Sequence, residues 1–199
     1  MMENRSNGME CERVRLQMRT ALGNFVVLAS ARGLCAVSPL AGGEADASSL
    51  PNDGRLAERA RVAAGSPPLD GSAWEHAHEA AATLRRYAEG EPARYEGPLD
   101  VPAPAFHVAV WEHLRSIPFG TTRTYGEVAA ALGVSGEARL VGSAVAANPV
   151  CILVPCHRVV GADGTLRGFA WGLDLKRRLL AHEGWAALPL FATAEEPCG

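Results

Sequence analysis

Short runs of apolar residues, VRLQM, FVVLAS and LCAV, follow one another between Val14 and Val37, separated by turn-forming residues at Leu22-Gly23-Asn24 and Ala31-Arg32-Gly33. The spacing predicts three short strands in a small antiparallel sheet. From Ala41 to Ser72 the periodicity lapses, and Gly, Pro, Ser and Asp accumulate in GGEADASSLPNDG and AGSPPLDGS. Such a stretch reads as a mobile insertion at about residues 41–72, interrupted at most by a short helix over Leu56 to Ala64.

Helical spacing takes over afterwards. Trp74 to Tyr87 is Ala-rich with apolar residues three and four apart, and Gly90 and Pro92 end it. The proline-rich EPARYEGPLDVPAPAF is an extended connector, which puts a domain boundary near Val101. The expected organisation is an N-terminal domain over 1–100, a second domain over 101–185 and a tail over 186–199. The second domain opens with a helix from Ala105 to Arg115 that aligns Phe106, Val110, Trp111 and Leu114. Thr124-Tyr125-Gly126-Glu127 is a capping box that starts a helix at Tyr125 and ends at Gly133. A further helix covers EARLVGSAVAAN, with Ser135 or Gly136 near its N-cap and Asn148-Pro149 as its stop. The two helices read either as an ordinary helical pair or as a helix-turn-helix. Gly142, Ser143, Ala144, Ala146 and Ala147 would let the second approach another helix or a DNA groove closely. Val150 to Val154 is predicted to be a buried strand, and Asp174 is expected to cap a last helix, LKRRLLAHEG, closing at Gly184.

Composition adds limits. At 199 residues, 48% apolar and 21% charged, the chain has the make-up of a folded globular protein. No window approaches the roughly 18 apolar residues of a membrane span, and the opening MMENRSNGMECERVR has no apolar core of a signal peptide, so a cytoplasmic protein is expected. The five cysteines, Cys11, Cys35, Cys151, Cys156 and Cys198, are odd in number and scattered, which argues for thiols rather than a disulfide framework. A net charge of −3 argues against nucleic-acid binding until its distribution is seen. Residues 1–100 carry 11 arginines against 14 acids, whereas residues 101–185 carry eight basic groups against six acids. A DNA-binding face would therefore lie in the second half.

Cys156 and His157 are the chemical centre of that half. A thiol is a strong nucleophile only as thiolate, so something must take its proton. His157 would do so through a turn or a bridging water, and Glu183 would orient the imidazole by accepting from its other nitrogen. By itself a Cys-His pair is more often a small buried thiol with a polar neighbour. Cys151, Cys156 and His157 match no common zinc spacing, and neither metal nor cofactor is expected.

The run Pro155-Cys156-His157-Arg158-Val159 resembles the active-site signature of the O6-alkylguanine-DNA alkyltransferase family. The likeness continues through IPFGTTRTYGEVAAALG, EARLVGSAVAANP and ILV before it, and through GADGTLRGFAWGLDLKRRLLAHEG after it. It is dense from about Phe106 to Gly184 and weak before Trp74. The resemblance implies that Cys156 accepts the alkyl group, that His157 and Glu183 activate it, and that Asn148 is a hinge between recognition helix and active-site strand. It further implies that Arg139 enters the duplex in place of an extruded nucleotide and that Ser143 lies on the same DNA-facing helix. Tyr125 would crowd a phosphate, bond the extruded base and lend it a proton. Val145, Val159 and Phe169 would line the pocket, Val159 offering its backbone carbonyl to the base amine. Phe169 stands where the family usually has Tyr, so a hydroxyl is absent there. Together these readings give a two-part α/β (α+β) protein, a small N-terminal antiparallel sheet with a helix and a C-terminal helical domain holding a winged-helix-like helix-turn-helix and the cysteine. It is expected to act as a monomer on double-stranded DNA carrying O6-alkylguanine. Two alternatives are a lesion-binding relative that transfers nothing, although such relatives generally lack the cysteine, and a cysteine hydrolase.

Overall fold

The computed structural model describes residues 13–40 and 71–185. The short helix over Leu56 to Ala64, most of the 41–72 insertion and the 186–199 tail lie outside the described residues. Two compact units emerge, one from residues up to 82 together with 95–101, the other from 83–94 together with 102 onward.

The first unit holds a three-stranded antiparallel sheet in the order β1 (Arg13–Thr20), β2 (Gly23–Ser30), β3 (Gly33–Pro39). Alternation decides its faces: Val14, Leu16 and Met18 of β1 are buried, while Arg15 and Gln17 between them are partly exposed. The strands run longer than the apolar stretches suggest, because main-chain pairing continues through the polar ends Arg13, Arg19 and Thr20. The first turn consequently falls at Ala21-Leu22, closed by the Thr20 hydroxyl, which donates to the Gly23 carbonyl at 2.9 Å. At the second turn Gly33 has φ +149°, and a Cβ there would sit 2.5 Å from the Pro98 carbonyl oxygen. Only glycine admits that approach, which lets Leu34 N–H donate to Pro98 O and Asp100 N–H donate to Leu34 O, both at 2.9 Å. The helix α1 (Gly71–Ala88) begins in this unit, with Ala73, Ala77, Ala80 and Ala81 buried at helical spacing.

The second unit contains the end of α1 and four further helices. The helix α2 (Ala105–Arg115) buries Val110, Trp111 and Leu114, as its periodicity predicts, whereas Phe106 of the same face is only half-buried. After it, β4 (Arg123–Thr124) pairs in parallel with β5 (Val159–Val160), which fastens the start of α3 (Tyr125–Ala131) to the segment that follows the cysteine. The capping box is present: the Glu127 amide donates to Thr124 Oγ1 at 3.1 Å, and the Thr124 amide donates to the Glu127 carboxylate at 2.6 Å. Thr124→Ala should therefore cost about 1 kcal/mol of stability in denaturant titration. An unchanged midpoint would show that the β4–β5 pairing alone fixes the helix start.

The helix α4 (Ala138–Ala146) packs against both α2 and α3, and the Trp111 indole donates to the Ala144 carbonyl at 2.7 Å. Its N-cap is Glu137, not Ser135 or Gly136, and no side chain caps it. The reason lies in the turn before it: Glu137 N–H is still bonded to Val134 O, so the chain reaches helical geometry only afterwards. Val150 to Val154 is a tight turn rather than a strand. Leu153 N–H donates to Cys151 O and Val154 N–H to Val150 O, with Ile152 at φ +69°. The last helix, α5 (Leu173–His182), starts one residue before Asp174. Its N-cap is Gly172, whose φ of +87° suits a residue without Cβ, and Asp174 instead pairs with Arg177 at 2.6 Å. No described helix is long and apolar enough to cross a membrane.

Candidate active site

The turn over 150–154 is held by one side chain. The Asn148 amide nitrogen lies 3.3 Å from the Val150 carbonyl, 3.0 Å from that of Val154 and 3.1 Å from Cys156 Sγ, while its oxygen accepts from the Val150 amide at 2.9 Å. An extended strand would spread those acceptors apart, so the side chain that ends α4 also folds the chain back toward the cysteine. Pro155 follows, and Cys156–Arg158 form a single 3-10 turn. Neighbouring side chains in such a turn do not point to opposite faces as they would in a strand, which removes one obstacle to Cys156 and His157 acting together.

Cys156 is buried, and burial pushes its thiol up to about 11, against the opposing pull of the Asn148 amide and the Lys176 charge. At neutral pH it is a thiol. Beside it His157 is wholly buried, with Nε2 2.6 Å from Glu183 Oε1. A carboxylate can only accept, so Nε2 carries the proton and Nδ1 has the free lone pair. Nδ1 is buried and has no hydrogen-bond partner among the described residues. Burial keeps the imidazole below its usual range despite the opposing carboxylate, and the ring is a neutral base near pH 7.

Glu183 sits at the C-cap of α5 and collects donors from four directions. Besides His157 it accepts from Tyr87 Oη at 2.8 Å, from Arg158 Nε at 2.9 Å and Nη2 at 3.0 Å, and from the Gly120 amide at 2.9 Å. Burial opposes its ionisation, but the bonds from His157 and Arg158 prevail and hold the carboxyl down at about 2. Because Arg158 already neutralises it, Glu183 orients His157 without forcing a proton onto the ring.

A second group surrounds Val159. Lys176 is fully buried and donates to the Val159 carbonyl at 2.6 Å and to the Arg167 carbonyl at 2.9 Å, with its Nζ 6.0 Å from the centre of the Phe169 ring. Burial lowers its ammonium to about 8. The Arg167 carbonyl also accepts from Tyr125 Oη at 3.2 Å, so that hydroxyl is engaged by a loop and not by the thiol. Val145 and Val159 are buried and Phe169 is half-buried against Trp171. Arg139 and Ser143 are exposed on α4.

Asn148 with Cys156 and His157 with Glu183 thus form two hydrogen-bonded pairs brought together by the Cys156–His157 turn, while Tyr125 and Val159 meet through Lys176 and the Arg167 carbonyl. Sequence reasoning missed four contributors. Arg158 stands within the Pro155–Val159 run without a role of its own there, and Gly120 contributes only its backbone. Tyr87 lies far ahead of the motif with nothing local to mark it. For Lys176 a signal existed, since it is the one lysine in the chain.

The family model for the DNA-binding domain of 6-O-methylguanine DNA methyltransferase matches residues 105–185. The chain is 48% identical over 100 residues to a methylated-DNA–protein-cysteine methyltransferase of Mycolicibacterium paratuberculosis, a match over 50% of this chain and 61% of that protein. It is 46% identical over 110 residues to the protein of the same name from Methanosarcina acetivorans, covering 55% of this chain and 70% of the relative. Among solved structures it resembles Mycobacterium tuberculosis OGT in complex with DNA, with a TM-score of 0.62 and 31% identity over 84% of this chain and 90% of that one. The chain belongs to the methylated-DNA–protein-cysteine methyltransferase family.

Proposed function

We propose that the protein repairs double-stranded DNA by moving an alkyl group from O6 of guanine onto Cys156, once and irreversibly. The observation that carries this reading is the buried turn in which Cys156 adjoins a neutral His157 fixed by Glu183, within the residues that resemble the DNA-binding domain of known methyltransferases. An alkyl carbon on O6 is inaccessible inside the base stack, so the nucleotide must first be swung out, at a cost of a few kcal/mol that is smaller for a damaged pair. The exposed Arg139 fills the gap, and Ser143 and the small residues of α4 let that helix approach the minor groove. Phosphate contacts need no base reading, which suits lesions that arise in any sequence.

In the pocket, Val145, Val159 and Phe169 enclose the base. The Val159 carbonyl keeps one lone pair for the base amine because Lys176 uses the other. His157 Nδ1, which has no hydrogen-bond partner among the described residues, receives the thiol proton through a bridging water, and the Sγ–carbon bond forms as the carbon–O6 bond breaks. The electron pair leaves with guanine, and Tyr125 supplies the proton the departing base needs after releasing the Arg167 carbonyl. The thioether formed has no easy return path. The buried thiols of Cys151 and Cys156, neither in a disulfide among the described residues, fit a reducing compartment, and we place the protein in the cytoplasm as a monomer.

Intact-mass spectrometry after mixing the protein with a duplex carrying one O6-methylguanine tests the proposal. The expected result is the gain of a single methyl group, mapped to the peptide containing Cys156 and saturating at one per molecule. Tight binding of the duplex without any mass gain would replace transfer by lesion recognition.

A further inference from the structure

Tyr87 has no place in the mechanism above, yet it is among the most completely buried large side chains in the protein. It stands near the end of α1, outside the residues that the family model matches. Its hydroxyl donates to Glu183 Oε1 at 2.8 Å, the same oxygen that lies 2.6 Å from His157 Nε2, and it is itself 3.4 Å from that nitrogen. The ring is held from several sides, edge-on to Phe119 at 5.7 Å and to His157 at 6.2 Å and tilted against His182 at 5.3 Å. The His182 ring also reaches the Tyr87 carbonyl at 2.7 Å, so backbone and side chain of this residue are both anchored. A hydroxyl pinned this tightly has one acceptor to serve.

We infer that Tyr87 is a positioning residue of the alkyl-transfer site, setting through Glu183 Oε1 both the orientation and the basicity of His157. The inference rests on the proposed function only for its kinetic readout. Oε1 divides its electron density among Tyr87, His157 and Arg158. Removing the Tyr87 donor leaves Oε1 a stronger acceptor for the imidazole N–H and stabilises the imidazolium. The ring then holds its proton to higher pH, and less of the neutral base exists when the thiol must lose its own. Burial beside a carboxylate raises the Tyr87 phenol far above its usual range, so the hydroxyl stays a donor throughout the working range of the protein. The other groups facing His157 cannot substitute. Arg158 already spends Nε and Nη2 on Glu183, the Gly120 amide binds the opposite oxygen, Lys176 is occupied by two carbonyls, and Cys156 is the group to be activated.

The test compares the wild-type chain with Tyr87→Phe, which keeps the ring and its contacts with Phe119 and His182. Two readouts are followed, the pH dependence of single-turnover methyl transfer from an O6-methylguanine duplex and the titration of His157 by nitrogen NMR. The expected result is an upward move of the His157 titration, an acid limb of the rate profile moved the same way, and transfer slowed about 10-fold near pH 6 but much less near pH 8. A Tyr87→Phe protein with the wild-type titration and the wild-type profile overturns the inference. If the wild-type protein transfers nothing, the proposed function fails, while the His157 titration still decides the role of Tyr87. If Tyr87→Phe does not fold, the wild-type protein supplies the test. A Tyr87 hydroxyl proton protected from exchange and close to the His157 ring supports the inference, and a freely exchanging one overturns it.

Discussion

Replacing Cys156 with alanine is expected to reduce methyl transfer below detection while leaving affinity for a lesion-bearing duplex within about twofold of wild type, since removing one reacting group takes away bond formation without touching uniform binding contacts. The geometry explains why the two effects separate. Sγ accepts a hydrogen bond from Asn148, but that amide also reaches the Val150 and Val154 carbonyls, so the turn keeps its clamp when the sulfur is gone. The exposed residues of α4, Arg139 and Ser143 among them, are untouched. Cys151 is no substitute nucleophile, because its thiol, likewise raised by burial, lies in the 150–154 turn and has no adjoining base as Cys156 has in His157. The check is intact-mass spectrometry of Cys156→Ala beside a fluorescence-anisotropy titration with the same duplex. Any methyl gain on the variant would remove Cys156 from its role, and a collapse of binding would mean that the cysteine shapes the DNA surface.

The second large effect concerns Glu183, where stability and chemistry coincide. Glu183→Gln keeps the shape of the side chain but removes the charge, and it turns one accepting oxygen into an amide nitrogen that faces either Tyr87, His157 and Arg158 at the Oε1 position or Arg158 and Gly120 at the Oε2 position. The Arg158 guanidinium, mostly buried, is left without its counter-charge. Breaking a buried pair from one side costs about 3–5 kcal/mol. For a chain of this size that corresponds to a fall in melting temperature of roughly 10 °C. His157 loses its fixed tautomer at the same time, and transfer should slow on the order of 100-fold or more. Calorimetry and single-turnover kinetics measure the two losses on one sample. A variant that melts like wild type would show that the five-donor cluster adds little stability, and a variant that is destabilised yet transfers at full rate would remove Glu183 from the activation of the thiol.

Much of this was legible along the chain because the signals are local. The Thr124 and Glu127 pairing depends on residues three apart, the apolar face of α2 on a period of 3.6, and the limits of the sheet on turn-forming residues. The link from His157 to Glu183 was anticipated from the need for an orienting acceptor and from the family likeness, but at a separation of 26 residues no local pattern fixes the contact. What escaped has a common cause. Val150 to Val154 has the composition of a buried strand and is buried, but its backbone follows the Asn148 amide rather than a neighbouring strand. Asp174 is a good capping residue displaced by a glycine two positions earlier. Tyr87 reaches Glu183 across 96 residues, and no property of its own neighbourhood announces that it donates to a carboxylate.

Lys176 has a practical consequence outside catalysis. As the one lysine in the sequence, it is the only side-chain amine to which an acylating label can attach, and in the folded protein it is sealed against the Val159 and Arg167 carbonyls. With its ammonium lowered to about 8, protonation offers little protection at mildly alkaline pH, so concealment is the main barrier. The speed at which a small acylating reagent finds Lys176 therefore times how often α5 lifts from the rest of its unit. Comparing that speed before and after the cysteine has been alkylated would turn one buried amine into a clock that shows whether alkylation changes how often this helix opens.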